Sequence, residues 1–346
     1  MASADSLYTY NPSHALPIAF ANVIGVSLVL HILQNFRYAY WRITFFMFWG
    51  GTVFMTGWIL RTFSTYNQAN LGLYIAQSVC IYGGPPIYSA AGYNILGRLM
   101  HYLPMHAPLN PDRVLYFFIY LGVLVESLTA AGAARIAAAA DDLSVYKSGG
   151  TLITIGLVLQ AMVESIFAGM VAWLHRRCVR SGTLPRNVRT ICIMLYGTSV
   201  LVILRCVFRA IEAFSTFTSP ESCSSLCQAF YDHEWYVYAF EAAPMVLYTY
   251  WLNIIHPGRF LPRQKNRYLD MDGTTERYGP GWIEQRATWW TFVDPFDIRN
   301  RVKGETRHEK FWEQPDKWPA CDDGSFVEKT ATNTSTGITR AEKMNS

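Results

Sequence analysis

Residues 190–212 read TICIMLYGTSVLVILRCVFRAIE. From Thr190 to Leu204 there is no formal charge, and then Arg205, Arg209 and Glu212 follow at i, i+4 and i+7, the spacing of one helical face. A helix rises about 1.5 Å per residue, so the stretch is long enough for a bilayer core about 30 Å thick. It reads as a membrane span with charges inside it. Six further runs of comparable length and few charges lie at 15–33, 43–60, 71–97, 114–134, 149–174 and 235–255. The first has no basic residue before it and no small-residue cleavage site at its end, so it is expected to stay as a span and not to leave as a signal peptide.

Composition points the same way. Of 346 residues, 51% are hydrophobic and only 16% charged, against about 25% charged in soluble domains. The mean hydropathy of +0.12 averages an apolar front with a polar end. The expected architecture is an all-α integral membrane protein, a bundle of seven transmembrane helices. It divides into an external N-terminus over 1–14, the bundle over 15–262, and a cytosolic, largely disordered tail over 263–346.

Lys and Arg in short loops mark the cytoplasmic side. One set of loops carries Arg37, Arg42, Arg98, Arg113, Arg176, Arg177, Arg180, Arg186 and Arg189, with Arg259, Arg263, Lys265 and Arg267 after the last run. The other carries Arg61, Arg135 and Lys147. The N-terminus is therefore expected outside and the C-terminus in the cytosol. The net charge of +4 is a topological signal, and with no nucleic-acid-binding motif in the chain no nucleic-acid partner is expected. Cys223 and Cys227 share the external loop before the last run, where oxidation is permitted. A local disulfide and two free thiols are both open there.

Two runs carry irregularities. Gly83-Gly84-Pro85-Pro86 removes two amide donors near the middle of the third run and predicts a kink or an unwound turn, and Pro244 does the same in the last. Pro85, Pro86 and Pro244 are candidate hinges.

Glu126, Glu164, Arg205, Arg209, Glu212 and Glu241 lie inside runs, with Glu234 at the mouth of the last. An ionisable group in a span costs a few kcal/mol, so each needs a buried partner or serves a pathway for something polar. At about 1.5 Å per residue, Arg205 lies about 22 Å from the basic end of its run and Glu241 about 9 Å from the opposite end of the next. Antiparallel neighbours would bring the two to similar height. Glu234, Tyr238, Glu241 and Met245 share one stripe of the last run. A salt-bridge network that fixes packing and a substrate-contacting face both fit this pattern. Glu126 and Glu164 are lone acids near mid-span.

His31, His101, His106, His175 and His256 fall near the basic ends of their runs, a depth at which a hydrolytic metal site is conceivable. Only Asp112 offers a carboxylate there, so no metal and no cofactor is expected. A glycine loop with Lys and Ser or Thr is absent, so no nucleotide site on this chain powers it.

In this order the motifs resemble the fungal lipid-translocating exporter family, RTA-like proteins associated with resistance to aminocholesterol and sphingoid bases. The similarity covers residues 8–262. Its most specific stretch runs from Arg205-Cys206-Val207-Phe208-Arg209-Ala210-Ile211-Glu212 through Glu234, Tyr238 and Glu241 to Pro244-Met245, and closes with Asn253-Ile254-Ile255-His256-Pro257-Gly258. Glu241 stands where family members often have Asp. The fourth run departs, with Glu126 and Ala-rich sequence around Gly132 in place of an Asp and a Gln before a glycine cluster. The resemblance implies a translocator or exporter of amphiphilic lipids such as sphingoid long-chain bases, in contact with membrane lipids, sited at the plasma membrane and not an enzyme. The alternatives are a seven-span sensor or receptor-like protein that acts on lipid asymmetry indirectly, which a cytosolic tail would suit, and a His-dependent membrane hydrolase.

Overall fold

The computed structural model describes residues 8, 10–107, 109–138, 142–215, 225–282, 294 and 310–321, the side chains of 137–138, 225–227 and 231 excepted. Six long helices follow in order: α1 (Ala15–Tyr38), α2 (Trp41–Tyr66), α3 (Leu71–Tyr102), α4 (Pro111–Ala138), α5 (Leu143–Arg180) and α6 (Arg186–Ala213). Local chemistry sets their ends. Asn70 caps α3 by accepting from the Leu73 amide, and Asp142 caps α5 by accepting from Ser144 and Val145. Ala39 leaves α1 in the left-handed conformation at φ 51°. After the short α7 (Ser225–Asp232), a last helical stretch consists of α8 (Trp235–Val237), a π-turn (Tyr238–Ala242) and α9 (Ala243–Ile254).

Five of these helices are long and apolar enough to cross a membrane: α1, α2, residues Pro111–Ile136 of α4, α5 and α6. The two other segments expected as spans are helical but stand outside that set, because α3 is rich in Gly, Pro and polar residues and the last is divided by its π-turn. Large apolar side chains cover the outer faces, among them Val26, Val29 and Leu33 on α1 and Val200, Leu204 and Val207 on α6. In water such a surface would drive association, whereas lipid is its matching solvent.

Consecutive helices pack side by side from α1 to α6, α9 closes against both α6 and α1, and α3 reaches α5 and α6 across the middle. From Tyr88 to Tyr102, α3 buries every residue except Ala90 and Asn94. Small residues allow close approach, as expected where lipid gives no hydrophobic drive between helices. A Cβ on Gly84 would lie 2.8 Å from Phe54, and one on Gly132 would lie 2.7 Å from the Gly149 carbonyl oxygen on α5.

The Pro85-Pro86 pair produces no unwound turn, and α3 stays helical through it; α2 and α4 pack against the glycines beside it, which is the setting in which membrane helices tolerate missing donors. Beyond Pro262 the described residues include a hairpin. β1 (Arg267–Leu269) pairs antiparallel with β2 (Glu276–Tyr278) around Gly273 at φ 71°, and β1 packs on α3. Arg98 donates to the Pro262 carbonyl at 2.9 and 2.7 Å, Tyr102 donates to Glu276 at 2.7 Å, and Glu276 ion-pairs with Arg267. In the hairpin turn, burial raises the Asp272 pKa, but hydrogen bonds from Thr275 and Thr274 outweigh it and hold it at about 2.

Candidate functional site

The polar interior is built where α6 meets the π-turn. Arg205 and Arg209, one turn apart on α6, both point at Glu241. Arg205 donates from Nε at 2.8 Å and lies 2.7 Å away through Nη2, with the two side chains 1% and 0% exposed. Arg209 approaches the other carboxylate oxygen at 3.6 Å, ion-pairs with Glu212, and lays its guanidinium over the Tyr82 ring at 4.4 Å. Pro244 explains the position of Glu241. It cannot donate to the carbonyl one turn earlier, so it is accommodated in the first turn of α9 while the preceding turn widens into the π-form that carries Glu241.

Glu126 reaches the same place from α4. Its Oε1 would lie 3.0 Å from a Cβ on Gly83, its Oε2 has no hydrogen-bond partner, and it lines a cavity of about 40 Å³ together with Tyr82, Pro86, Gln160, Arg205 and Arg209. That volume holds one or a few water-sized groups. Val79 and Ala130 also line it and are exposed on the outer surface of the bundle, so the cavity extends to the lipid-facing side. Glu164 lies elsewhere. It is 2% exposed on α5 and accepts a hydrogen bond from Tyr93 at 3.2 Å, within a group of rings that includes Phe118 and Phe167.

Glu234 does not join Arg205. It pairs with Arg61 of α2 at 3.0 Å and accepts from the Ser13 amide at 2.8 Å. Arg61 is 6% exposed, donates to the Tyr10 hydroxyl at 2.9 Å, and has the faces of Tyr8, Trp58 and Tyr238 between 5.6 and 5.9 Å from its guanidinium carbon. This box folds the N-terminal segment over one end of the bundle. Sequence reading treats Arg61 as a loop charge, and the signal that would have exposed it is the Tyr8, Tyr10 and Tyr238 set of matching aromatic hydroxyls.

The closing motif joins α9 to α1. Asn253 donates to Ser27 at 2.6 Å and its carbonyl accepts from Gln34 at 2.8 Å, tying α9 to α1. His256 accepts from the Gly258 amide at 3.2 Å and stacks on Tyr38, while a Cβ on Gly258 would lie 2.8 Å from Tyr38. Pro257 is buried and opens a single 3-10 turn. The Cys223 and Cys227 side chains lie outside the described residues.

The histidines are dispersed. His31 neighbours His256 with ring centroids 5.3 Å apart, His101 meets Asp112 at 3.2 Å, His106 meets Thr183 at 2.8 Å and His175 meets Tyr196 at 3.3 Å. Burial, and then the nearby Arg177 guanidinium, lower the His106 pKa below its ordinary value. Among the described residues no group of three His, Cys, Asp or Glu is arranged to hold a metal.

A family profile described as RTA1 like protein matches residues 47–264. A lipid-translocating exporter-like protein RTA1 of Leptosphaeria maculans is 36% identical over 282 residues, 78% of this chain and 54% of the relative, so the chain spans about half the length of that protein. A protein of the same name from Ajellomyces capsulatus is 28% identical over 77% of this chain and 84% of its own. The sphingoid long-chain base transporter RSB1 of Saccharomyces cerevisiae is 24% identical over 74% of this chain and 75% of its own. No solved structure matches the chain.

Proposed function

The chain belongs to the family of RTA1-like proteins, and from that membership we propose that it moves amphiphilic lipids, sphingoid long-chain bases among them, across the plasma membrane. It is a multi-pass membrane protein of a lipid-transporter family. On our reading all seven expected segments span, with the N-terminus outside, and the work is transport without covalent chemistry. Export of a toxic amphiphile then accounts for a role in resistance.

The observation that carries the reading is the Glu126 cavity. Its lining holds the Glu126 carboxylate and the guanidinium groups of Arg205 and Arg209, and Glu241 and Glu212 pair with those arginines. Glu212 and Glu241 are ion-paired with the arginines, whereas Glu126 makes no ion pair among the described residues and lines a cavity that reaches the lipid-facing side. A free cation at mid-bilayer costs at least a few kcal/mol, and a fixed counter-charge removes much of that cost. An ammonium headgroup entering between α3 and α4 would find such a charge at Glu126 while its hydrocarbon tail stays in lipid. Glu234 lies at the end closed by the Arg61 box, and movement from Glu126 toward it would be outward.

The test is translocation of a fluorescent long-chain base in proteoliposomes by wild type and Glu126→Gln at equal abundance. Loss of about tenfold or more in initial rate, the equivalent of about 1.4 kcal/mol, is expected. An unchanged rate removes Glu126 from the pathway. No wild-type activity above protein-free liposomes overturns direct transport.

A further inference from the structure

At the basic end of the bundle a second cavity, of about 940 Å³, opens between the start of α2, the last turns of α3, the start of α4 and the segment after Pro262. It shares no residue with the Glu126 cavity. Its lining holds four cationic side chains, Arg42, Arg98, Arg263 and Lys265, against the single carboxylate of Asp112. That carboxylate is already engaged by Lys265 at 3.1 Å and His101 at 3.2 Å.

The surplus charge is not a solvated fringe. Arg98 is only 3% exposed, and while Nε and Nη2 donate to the Pro262 carbonyl, Nη1 has no partner. His101 is 6% exposed and its Nδ1 has none either. A buried guanidinium donor left without an acceptor, as at Arg98 Nη1, is rare in a folded interior and points to a missing acceptor. Arg42 and Arg263 are exposed at the same cavity and have no acidic partner among the described residues. The cavity also receives the N-terminal end of α2, which begins at Trp41 and presents the positive end of its dipole. Trp41, Ile43 and Leu115 complete the lining with apolar surface.

We propose that this cavity binds a phosphate-bearing anionic group, with Arg98 as the buried anchor and Arg42 and Arg263 closing on it from the exposed side. Guanidinium groups pair with phosphate through short, charge-assisted hydrogen bonds, and basic pockets between membrane helices are suited to anionic headgroups. The volume and the apolar wall fit a phospholipid headgroup, and inorganic phosphate carries the same chemistry. The site is independent of the transport reading, since it rests on residues at the other end of α3.

The experiment places the purified full-length protein in nanodiscs of phosphatidylcholine alone and of phosphatidylcholine doped with phosphatidic acid, and reads retained lipid by native mass spectrometry. Wild type should retain phosphatidic acid over phosphatidylcholine by about tenfold or more. The variant Arg42→Gln/Arg263→Gln changes only exposed side chains, so it should unfold at the wild-type temperature in phosphatidylcholine while losing that preference. A further arm adds inorganic phosphate to the protein in neutral detergent, where a thermal shift that the same variant abolishes would assign the same chemistry to a soluble source. Equal retention of both lipids with no phosphate-induced shift would overturn the site. So would a preference that survives in both the double variant and Arg98→Gln.

Discussion

Arg205 and Glu241 are so deeply buried that each replaces water for the other. Removing one partner of such a pair costs about 3 to 5 kcal/mol, because a bare charge stays behind, whereas exchanging both for apolar side chains of similar size costs far less. Glu241→Gln should therefore lower the unfolding temperature of the detergent-solubilised protein. Arg205→Met/Glu241→Leu should recover part of that loss, with Arg209 still compensated by Glu212 and Tyr82 in both. A double variant no more stable than Glu241→Gln would show that the two charges are not coupled. Sequence alone brings this pair together, since antiparallel neighbours share one scale of about 1.5 Å per residue. It does not bring Glu234 to Arg61. Their separation is 173 positions, and Arg61 ends an apolar run, where an arginine reads as a loop charge. Glu126 is legible as a lone acid, but its cavity depends on Gly83 facing it from another helix, which no spacing within α4 reveals.

At the scale of elements, the contact between α4 and α5 is set by backbone meeting backbone. Gly132→Leu would drive a side chain into the Gly149 carbonyl, and overpacking of this kind costs roughly 1 to 3 kcal/mol. Gly122→Leu on the same helix is the control, because nothing lies within 4 Å of a Cβ added there. The first variant should melt well below wild type and the second should not; equal melting temperatures would show that the close approach does not limit stability. Length and hydropathy make the helices legible, and the Ala-rich stretch around Gly132 is plain in the sequence. Which helix those small residues face is not. Pro244 likewise announces an irregularity, while the π-form of the turn before it is seen in the fold. At Pro85 and Pro86 the chain stays helical, with α2 and α4 packed against the neighbouring glycines.

For the whole molecule, polar contacts gather at each end of the bundle as well as in its interior. One end joins Arg98 to Pro262, Lys265 to Asp112, Asn187 to the Phe260 carbonyl and Arg177 to the His106 carbonyl. The other holds the Arg61–Glu234 box and the Tyr8 hydroxyl bonded to Ser64. The folded hairpin after residue 263 belongs to the first end, and composition alone hides it because its anchors, Tyr102 and Arg98, lie on α3 far back in the chain. Orientation in the membrane follows from which end keeps its positive charge. The positive-inside bias counts Lys and Arg near span ends, and the box buries Arg61 against a carboxylate, so the sparsely charged end is weaker still than its sequence implies. The basic end should therefore face the cytosol. Cysteines placed at exposed Ala69, in the loop between α2 and α3, and at exposed Met271, in the hairpin turn, would report it. An impermeant maleimide should label Ala69→Cys in intact cells, above the background of the parent protein, and Met271→Cys only after permeabilisation. The reverse pattern would invert the protein, and with it the direction assigned to a cation passing from Glu126 toward Glu234.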